Sequence, residues 1–363
     1  MAKRRTSNEP LPACYGMTHL GLEPIASEEL SEDFGAEVKR TSPGIVVFRV
    51  DDITKSLLKV RTTEDIFLLG WGSDQLTFRA ADLRKIQKWT AEDVKWDRLL
   101  QIHHTIRPKP SGKPTYRLVA QMTGKHGYRR VDALKALAKG LGGKLPSSWK
   151  HAEENASIEI WLTIHGRTAV CGVRLSDRTM RHRKYKQDHM PASLRPTMAA
   201  AMVRMSGAKV GDRVLDPMCG AGTILAEHLC NYTRDTEATF DVLGGDIELE
   251  PLRNTKANLK QFPEIPLALW DGTRLPLQSK WADYIISNPP FGKQIGKPEE
   301  IGDLYFRMVV EYHRVLKNSG KAVLLVSDFP LLKRAANARS WQCERNLDVK
   351  VLGQRGSISV WRK

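Results

Sequence analysis

The sequence predicts an α/β protein: a C-terminal, mostly parallel sheet with helices on both faces and a closing antiparallel hairpin, preceded by smaller α+β modules. Three observations carry this. From residue 196 onward, short apolar strands alternate with amphipathic helices, the pattern of a parallel sheet covered on both sides. Residues 14–105 mix strand and helix signals on a smaller scale. Between the two lies Arg107-Pro108-Lys109-Pro110-Ser111-Gly112-Lys113-Pro114, and a stretch this rich in proline and cations does not join a packed core. These breaks predict four segments: a domain over 14–105, a module over 106–176, a basic linker over 177–195 and a C-terminal domain over 196–363.

In the first segment, a strand at 14–19 leads through Gly21-Leu22-Glu23 to an amphipathic helix over 24–34. Ile25, Leu30 and Phe34 lie on its apolar face, and Gly35 follows, where a left-handed cap is commonly needed. The β-branched run 44–50 reads as a buried strand, 53–60 as a helix and 66–71 as a second apolar strand. In the second segment, strand 115–121 precedes Gly124-Lys125-His126-Gly127-Tyr128-Arg129-Arg130 and a helix over 131–141. Strands 157–165 and 168–175 follow, joined by Gly166-Arg167 in a two-residue hairpin turn. The linker gathers Arg174, Arg178, Arg181, His182, Arg183, Lys184 and Lys186. It reads either as a solvated connector or as a strap facing a polyanion. In the last segment, helices are expected over 196–206, 223–231, 250–260, 303–316 and 330–339. Strands are expected over 212–215, 239–244, 266–269, 283–287 and 321–327, with a hairpin near 347–361.

Lys and Arg number 57 against 41 Asp and Glu, a net charge of +16 over 363 residues. Such an excess favours a polyanionic partner, nucleic acid first. No apolar run is long enough to span a bilayer. The basic start Met1-Ala2-Lys3-Arg4-Arg5 has no apolar core behind it, so it reads as a short arm rather than a signal peptide. The five cysteines are scattered and never form a Cys-x-x-Cys pair. Neither a disulfide framework nor a metal site is expected, and the reading is a monomeric cytoplasmic protein.

The chemistry gathers at strand ends. The first C-terminal strand runs into Asp216-Pro217-Met218-Cys219-Gly220-Ala221-Gly222-Thr223 and then a helix. Two glycines at such a turn let a ligand approach the backbone, and the helix start offers free amides to a carboxylate. The turn lacks the Gly-Lys-Ser/Thr of a phosphate loop and the third glycine of a dinucleotide fingerprint. The second strand ends in Asp246-Ile247, where a carboxylate suits two ribose hydroxyls or simply caps the next helix. The third ends in Asp271-Gly272, where Asp271 suits an adenine amine or a plain turn. The fourth ends in Ser287-Asn288-Pro289-Pro290-Phe291. Two prolines end the strand and leave a rigid loop presenting carbonyls, one carboxamide and one aromatic ring. In open α/β sheets ligands bind outside the carboxyl ends of the strands, so glycine turn, acid, acid and Asn-Pro-Pro-Phe form one expected site.

Those motifs resemble S-adenosylmethionine-dependent amino-methyltransferases with a Rossmann-like class I fold. Residues 14–175 resemble the ferredoxin-like and THUMP modules placed before that domain in RNA guanosine-N(2) methyltransferases. The matching residues are Gly21-Leu22-Glu23 with Glu28-Glu29-Leu30, then Thr115–Leu118, Lys125-His126 and Val173-Arg174-Leu175. The resemblance covers nearly the whole chain and is nearest to the group acting on the tRNA acceptor stem. Asn288 stands where some members have Asp, and Phe291 where many have Tyr. It implies S-adenosylmethionine held by Asp216, Pro217, Cys219, Gly220, Gly222, Thr223, Asp246, Ile247, Asp271, Gly272 and Asn288. It implies methyl transfer by Asn288, Pro289, Pro290 and Phe291, with Phe291 stacked on a flipped base. RNA, most simply tRNA, is expected at Lys125, His126, Arg129, Arg130, Arg181, Arg183 and Lys184. Gly292-Lys293 is read as brushing phosphate or as a plain turn. Ribosomal RNA, an adenine amine, a small activating protein partner and a non-catalytic RNA-binding adaptor stay open.

Overall fold

The run Ile45-Val46-Val47-Phe48 is β-branched and aromatic, the composition that fits a pleated, half-buried surface, and it forms a strand whose neighbours build a sheet of eight. The computed structural model describes residues 10–187, 193–232, 241–291, 298–351 and 353–363. They fall into two compact units, Met1–Thr18 with Ala26–Met180, and His19–Ile25 with Arg181–Lys363.

The elements of the first half are β1 (Cys14–Met17), α1 (Glu23–Phe34), β2 (Glu37–Ser42), β3 (Ile45–Arg49), β4 (Asp65–Ser73), α2 (Asp82–Glu92) and α3 (Trp96–Ile106). They continue with β5 (Thr115–Thr123), α4 (Arg130–Gly140), β6 (Lys150–His151), β7 (Ile158–His165), β8 (Thr168–Arg174) and α5 (Arg178–His182). The strand order is β2-β3-β1-β4-β8-β7-β5-β6. Strands from 14–105 and from 106–176 therefore share one sheet, joined where β4 pairs antiparallel with β8. The hairpin over 158–174 forms with His165 opposite Thr168. Arg174 ties three strands together: its guanidinium lies 2.6 Å from buried Asp65 and 2.8 Å from Glu159. Read from sequence as part of a solvated connector or a strap, it forms an internal ion pair instead. The expected helix over 53–60 is a single 3₁₀ turn, Lys55–Lys59, where Thr54 caps too short a run for an α-helix.

The second half contains α6 (Pro196–Ser206), β9 (Val214–Asp216), α7 (Thr223–Tyr232), β10 (Val242–Asp246), α8 (Leu249–Asn258), β11 (Leu267–Leu269) and β12 (Ala282–Ser287). After these come α9 (Pro298–Val315), β13 (Leu316–Val326), α10 (Phe329–Asn337), β14 (Gln342–Val351) and β15 (Gln354–Arg362). The order β11-β10-β9-β12-β13-β15-β14 makes the first five strands parallel and the last two an antiparallel hairpin. This is the mostly parallel α/β fold the sequence predicts. Strand order reverses between β9 and β12, and the crevice at their carboxyl ends is where such sheets bind ligands.

One segment sits elsewhere than the sequence order suggests. Gly21-Leu22-Glu23 was expected to open the first module, yet His19–Ile25 groups with the second unit. The Lys350 amide on edge strand β14 donates to the Leu20 carbonyl at 3.3 Å. Gly21 has φ +93°, and a Cβ there would lie 1.9 Å from the Asp348 carbonyl oxygen, so only glycine fits. Leu22 and Ile25 are fully buried in that unit's core. Each contributes about 1.5–3 kcal/mol of burial to it.

Candidate active site

The short strand Val214-Leu215-Asp216 lies between β10 and β12, and it ends on a carboxylate only 1% exposed. Asp216 Oδ1 accepts from the Ser287 hydroxyl at 3.0 Å and from the Met218 amide at 3.4 Å. Its Oδ2 is buried without a hydrogen-bond partner among the described residues. Burial pushes the carboxyl up to about 7, opposed by the hydrogen bond from Ser287. Because Ser287 directly precedes Asn288, this bond locks the ends of β9 and β12 together. The Asn288 Oδ1 is also buried and without a partner among the described residues. Two orphaned acceptors at one switch point are unusual, since buried polar atoms are nearly always paired.

The glycine turn is built from its own backbone. The Cys219 amide donates to the Gly245 carbonyl at 2.8 Å, and the Gly222 amide to the Cys219 carbonyl at 2.8 Å. Gly222 has φ +71°, and a Cβ there would lie 2.7 Å from the Thr255 methyl. Thr255 in turn donates to the Gly220 carbonyl at 2.7 Å, and Asn258 to the Ala221 carbonyl at 3.0 Å. Thus α8 clamps the turn from behind, and glycine leaves its front open to a ligand. Cys219 builds the turn: its amide and carbonyl are engaged and its thiol is buried.

The strand-end acids differ in state. Asp246 Oδ2 accepts from the Gly220 amide at 2.9 Å and Oδ1 from the Glu248 amide at 3.2 Å, so the acid both braces the turn and holds the bend that leads into α8. Ile247 beside it is 66% exposed, an apolar shelf at the strand end. Asp271 Oδ1 accepts from the Thr273 amide and hydroxyl, both at 2.8 Å. Partial burial opposes ionisation there, but these bonds hold the carboxyl below its usual value. Trp270 donates to the Pro217 carbonyl at 3.0 Å, tying the third strand end to the first. Thr223 and Gly272 are buried beside this turn.

Three expectations need correction. Phe291 is only 8% exposed and packs against Gly356 in the apolar core, so its ring is not open to a base. Arg183 is buried beside Glu227, which accepts from its Nε at 3.2 Å and from the Tyr185 hydroxyl at 2.6 Å. Its charge is neutralised inside the protein and does not reach a phosphate. Lys186 likewise donates to the Leu194 carbonyl at 2.7 Å, and burial with Arg195 nearby lowers it to about 8. Lys125, Arg129, Arg130 and Lys184 are exposed, while His126 and Arg181 are half-buried. Gly292-Lys293 lies outside the described residues.

Ser287, Thr255, Asn258 and Trp270 were not singled out from sequence. Only Ser287 had a local signal, a hydroxyl beside the Asn-Pro-Pro loop. The others act across the sheet from positions that look like ordinary helix and strand residues.

Comparison with known proteins now bears on this geometry. Residues 183–355 match the family model for the RMKL-like methyltransferase domain. The second unit has the class I methyltransferase fold. The chain is 27% identical over 268 residues to the tRNA (guanine(6)-N(2))-methyltransferase THUMP3 of Bos taurus, covering 68% of this chain and 51% of that one. It spans about half the length of that relative and of its two other mammalian counterparts. It is also 27% identical over 329 residues to a tRNA (guanine(6)-N2)-methyltransferase of Thermus thermophilus, covering 88% of this chain and 90% of the other. The crystal structure of TrmN from Thermus thermophilus superimposes with a TM-score of 0.76 at 23% identity, over 97% of this chain and 99% of that one. This structural likeness is one of fold. Among the described residues no helix is long and apolar enough to cross a membrane.

Proposed function

We propose that the second unit methylates the exocyclic 2-amino group of a guanosine in structured RNA, most simply tRNA, with S-adenosylmethionine as donor. The observation that carries this is the buried Asn288 carboxamide oxygen at the β9/β12 switch point, unpartnered among the described residues. The relatives support the choice of guanine and of RNA.

The residues fit the donor. The open front of the Gly220–Gly222 turn, the spare Asp216 oxygen and the Asp246 carboxylate would hold its amino-acid and ribose parts. Ile247 and Asp271 would face its adenine. When bound, the donor supplies an electrophilic methyl group. The protein's own task is to present a poor nucleophile, because the lone pair of a guanine amine is delocalised into the ring. The Asn288 Oδ1 and the carbonyl of Pro289 accept hydrogen bonds from the two amine N–H groups, which turns the lone pair outward and stabilises positive charge developing on nitrogen. The two prolines fix these acceptors in place before the base arrives. No general base of shifted pKa is required before transfer; afterwards the strongly acidic methylated nitrogen releases one proton to water, the donor departing as the neutral thioether. With Phe291 buried, the target base is held by its edge rather than by that ring.

The first unit supplies RNA affinity as a ferredoxin-like and THUMP pair, with Lys125, His126, Arg129 and Arg130 contacting phosphates, joined by Arg181 and Lys184 of the linker. Such binding weakens steeply with salt. The test is incubation of the full chain with labelled S-adenosylmethionine and unmodified tRNA or ribosomal RNA, followed by nucleoside mass spectrometry. N(2)-methylguanosine is the expected product; N(6)-methyladenosine would overturn the acceptor, and no product at all would favour the adaptor reading.

A further inference from the structure

Phe78 lies in the loop between β4 and α2, in the first unit, with φ +66°. A bulky residue in the left-handed region is a true outlier, and such strain persists only where surrounding contacts over-determine it. They do so here. The Gly127 amide donates to the Phe78 carbonyl at 2.7 Å, and the Leu76 amide to the Arg167 carbonyl at 3.1 Å. Buried Asp82 accepts from the Thr77 amide at 2.8 Å and hydroxyl at 2.9 Å. The strain does not serve to bury the ring, because Phe78 is 39% exposed.

What the held ring faces is aromatic and basic. The His126 ring lies 5.2 Å from Phe78, and the Tyr128 ring 5.1 Å from His126, both tilted. Tyr128 is buried, so the row is anchored at one end and open at the other. Arg79, Lys125 and Arg129 are exposed on the same two loops, and Arg130 is exposed at the start of α4. Among the described residues no carboxylate is paired with Arg79, Lys125 or Arg130, and the Arg129 guanidinium lies 3.4 Å from Asp132 with its side chain 80% exposed. An exposed aromatic face ringed by cations suits one ligand chemistry well: a base with phosphates on either side.

We propose that Phe78, backed by His126, is a stacking platform for an unpaired base of the RNA, with Arg79, Lys125, Arg129 and Arg130 neutralising the flanking phosphates. This rests on the RNA reading above and extends it. The platform selects RNA with an unstacked nucleotide and adds to the sequence-independent phosphate attraction. A duplex gives it less to stack on, because pairs inside the helix cover one another's faces and only the outward face of the terminal pair is open.

The test uses the full chain and two hairpin RNAs, one blunt and one with an unpaired four-nucleotide extension carrying 2-aminopurine. Wild type binds the extended hairpin more tightly and quenches its fluorescence. Phe78→Gly removes the ring while suiting the left-handed backbone, so it folds at least as stably as wild type, a point thermal unfolding checks directly. Its affinity for the extended hairpin falls about 5- to 150-fold, the range for losing one stacked base, quenching disappears and blunt-hairpin affinity changes far less. Phe78→Trp retains binding and quenching. Lys125→Ala, by contrast, weakens both hairpins and lowers the salt slope by about 0.7–0.9. A Phe78→Gly variant that keeps the extended-hairpin preference, or that weakens both RNAs equally, overturns the platform. Guanosine methylation assayed separately, at saturating RNA, tells this failure apart from failure of the methyltransferase reading.

Discussion

Replacing Asp216 with Asn should stabilise the second unit at neutral pH and leave it without useful cofactor affinity. The carboxyl has its folded pKa raised from 3.8 to about 7 by burial. Folding therefore favours the protonated acid, and the stability this contributes is complete below pH 3.8 and lost as the pH rises through 7. Between those limits the shift is about 3 units, and at about 1.4 kcal/mol per unit the wild type forfeits about 4 kcal/mol. Asn keeps the acceptor that Ser287 uses but does not ionise. It leaves an amide where Oδ2 has no partner, a pH-independent penalty of about 1–3 kcal/mol. The diagnostic quantity is thus the change in ΔΔG with pH. Denaturant unfolding of the second unit's transition, followed from pH 4 to pH 8 in both proteins, should show Asp216→Asn gaining on wild type by about 4 kcal/mol across the range. Calorimetric titration at pH 7.5 should show its cofactor affinity reduced. A pH-independent difference between the two proteins would refute the argument that Asp216 is forced to ionise in a dry pocket.

Other consequences are testable in the same way. Asn288→Ala should lower methyl transfer by about 100- to 1000-fold, the usual effect of removing one preorganised charge-stabilising partner, with the cofactor dissociation constant within about threefold of wild type. Wild-type turnover would remove Asn288 from the mechanism. Gly222→Ala sets a Cβ against Thr255 in a left-handed backbone; it should cost about 1–3 kcal/mol and weaken cofactor binding at least tenfold, about 1.4 kcal/mol, with partial recovery in Gly222→Ala/Thr255→Ser. Arg183→Ala strips Glu227 of a buried counter-charge and should destabilise by about 3–5 kcal/mol in denaturant unfolding. The salt slope of RNA binding should not change, whereas a phosphate-binding Arg183 would lower it.

The parallel sheet and its strand-end motifs were legible because each signal is local. Apolar strand, glycine turn, terminal acid and Asn-Pro-Pro all sit within a few residues of one another. Helices α2 and α3 carried no such punctuation: their caps are not Ser, Thr, Asp or Asn but Ala81 and Lys95. The fate of Phe291 and Arg183 depended on partners far along the chain, Gly356 and Glu227, which periodicity does not reveal. A run of cations reads the same whether it faces water or a buried glutamate. The Thr255 and Asn258 clamp was hidden for the same reason, as both are ordinary residues on a helix until the Gly220–Gly222 turn is laid against them.

The docking of His19–Ile25 along β14 has a consequence for how the protein is made. Gly21 leaves the ribosome about 330 residues before Asp348, whose carbonyl it packs against. At about 5–20 residues per second, Leu22 and Ile25 wait roughly 15–60 seconds as exposed apolar groups. The first unit has all its strands by Arg174 and can form early, whereas the second cannot complete its core until β14 is out. The bond from Lys350 to Leu20 is thus a late step in biogenesis, and a nascent chain stalled before β14 should hold one folded unit and one unfinished core.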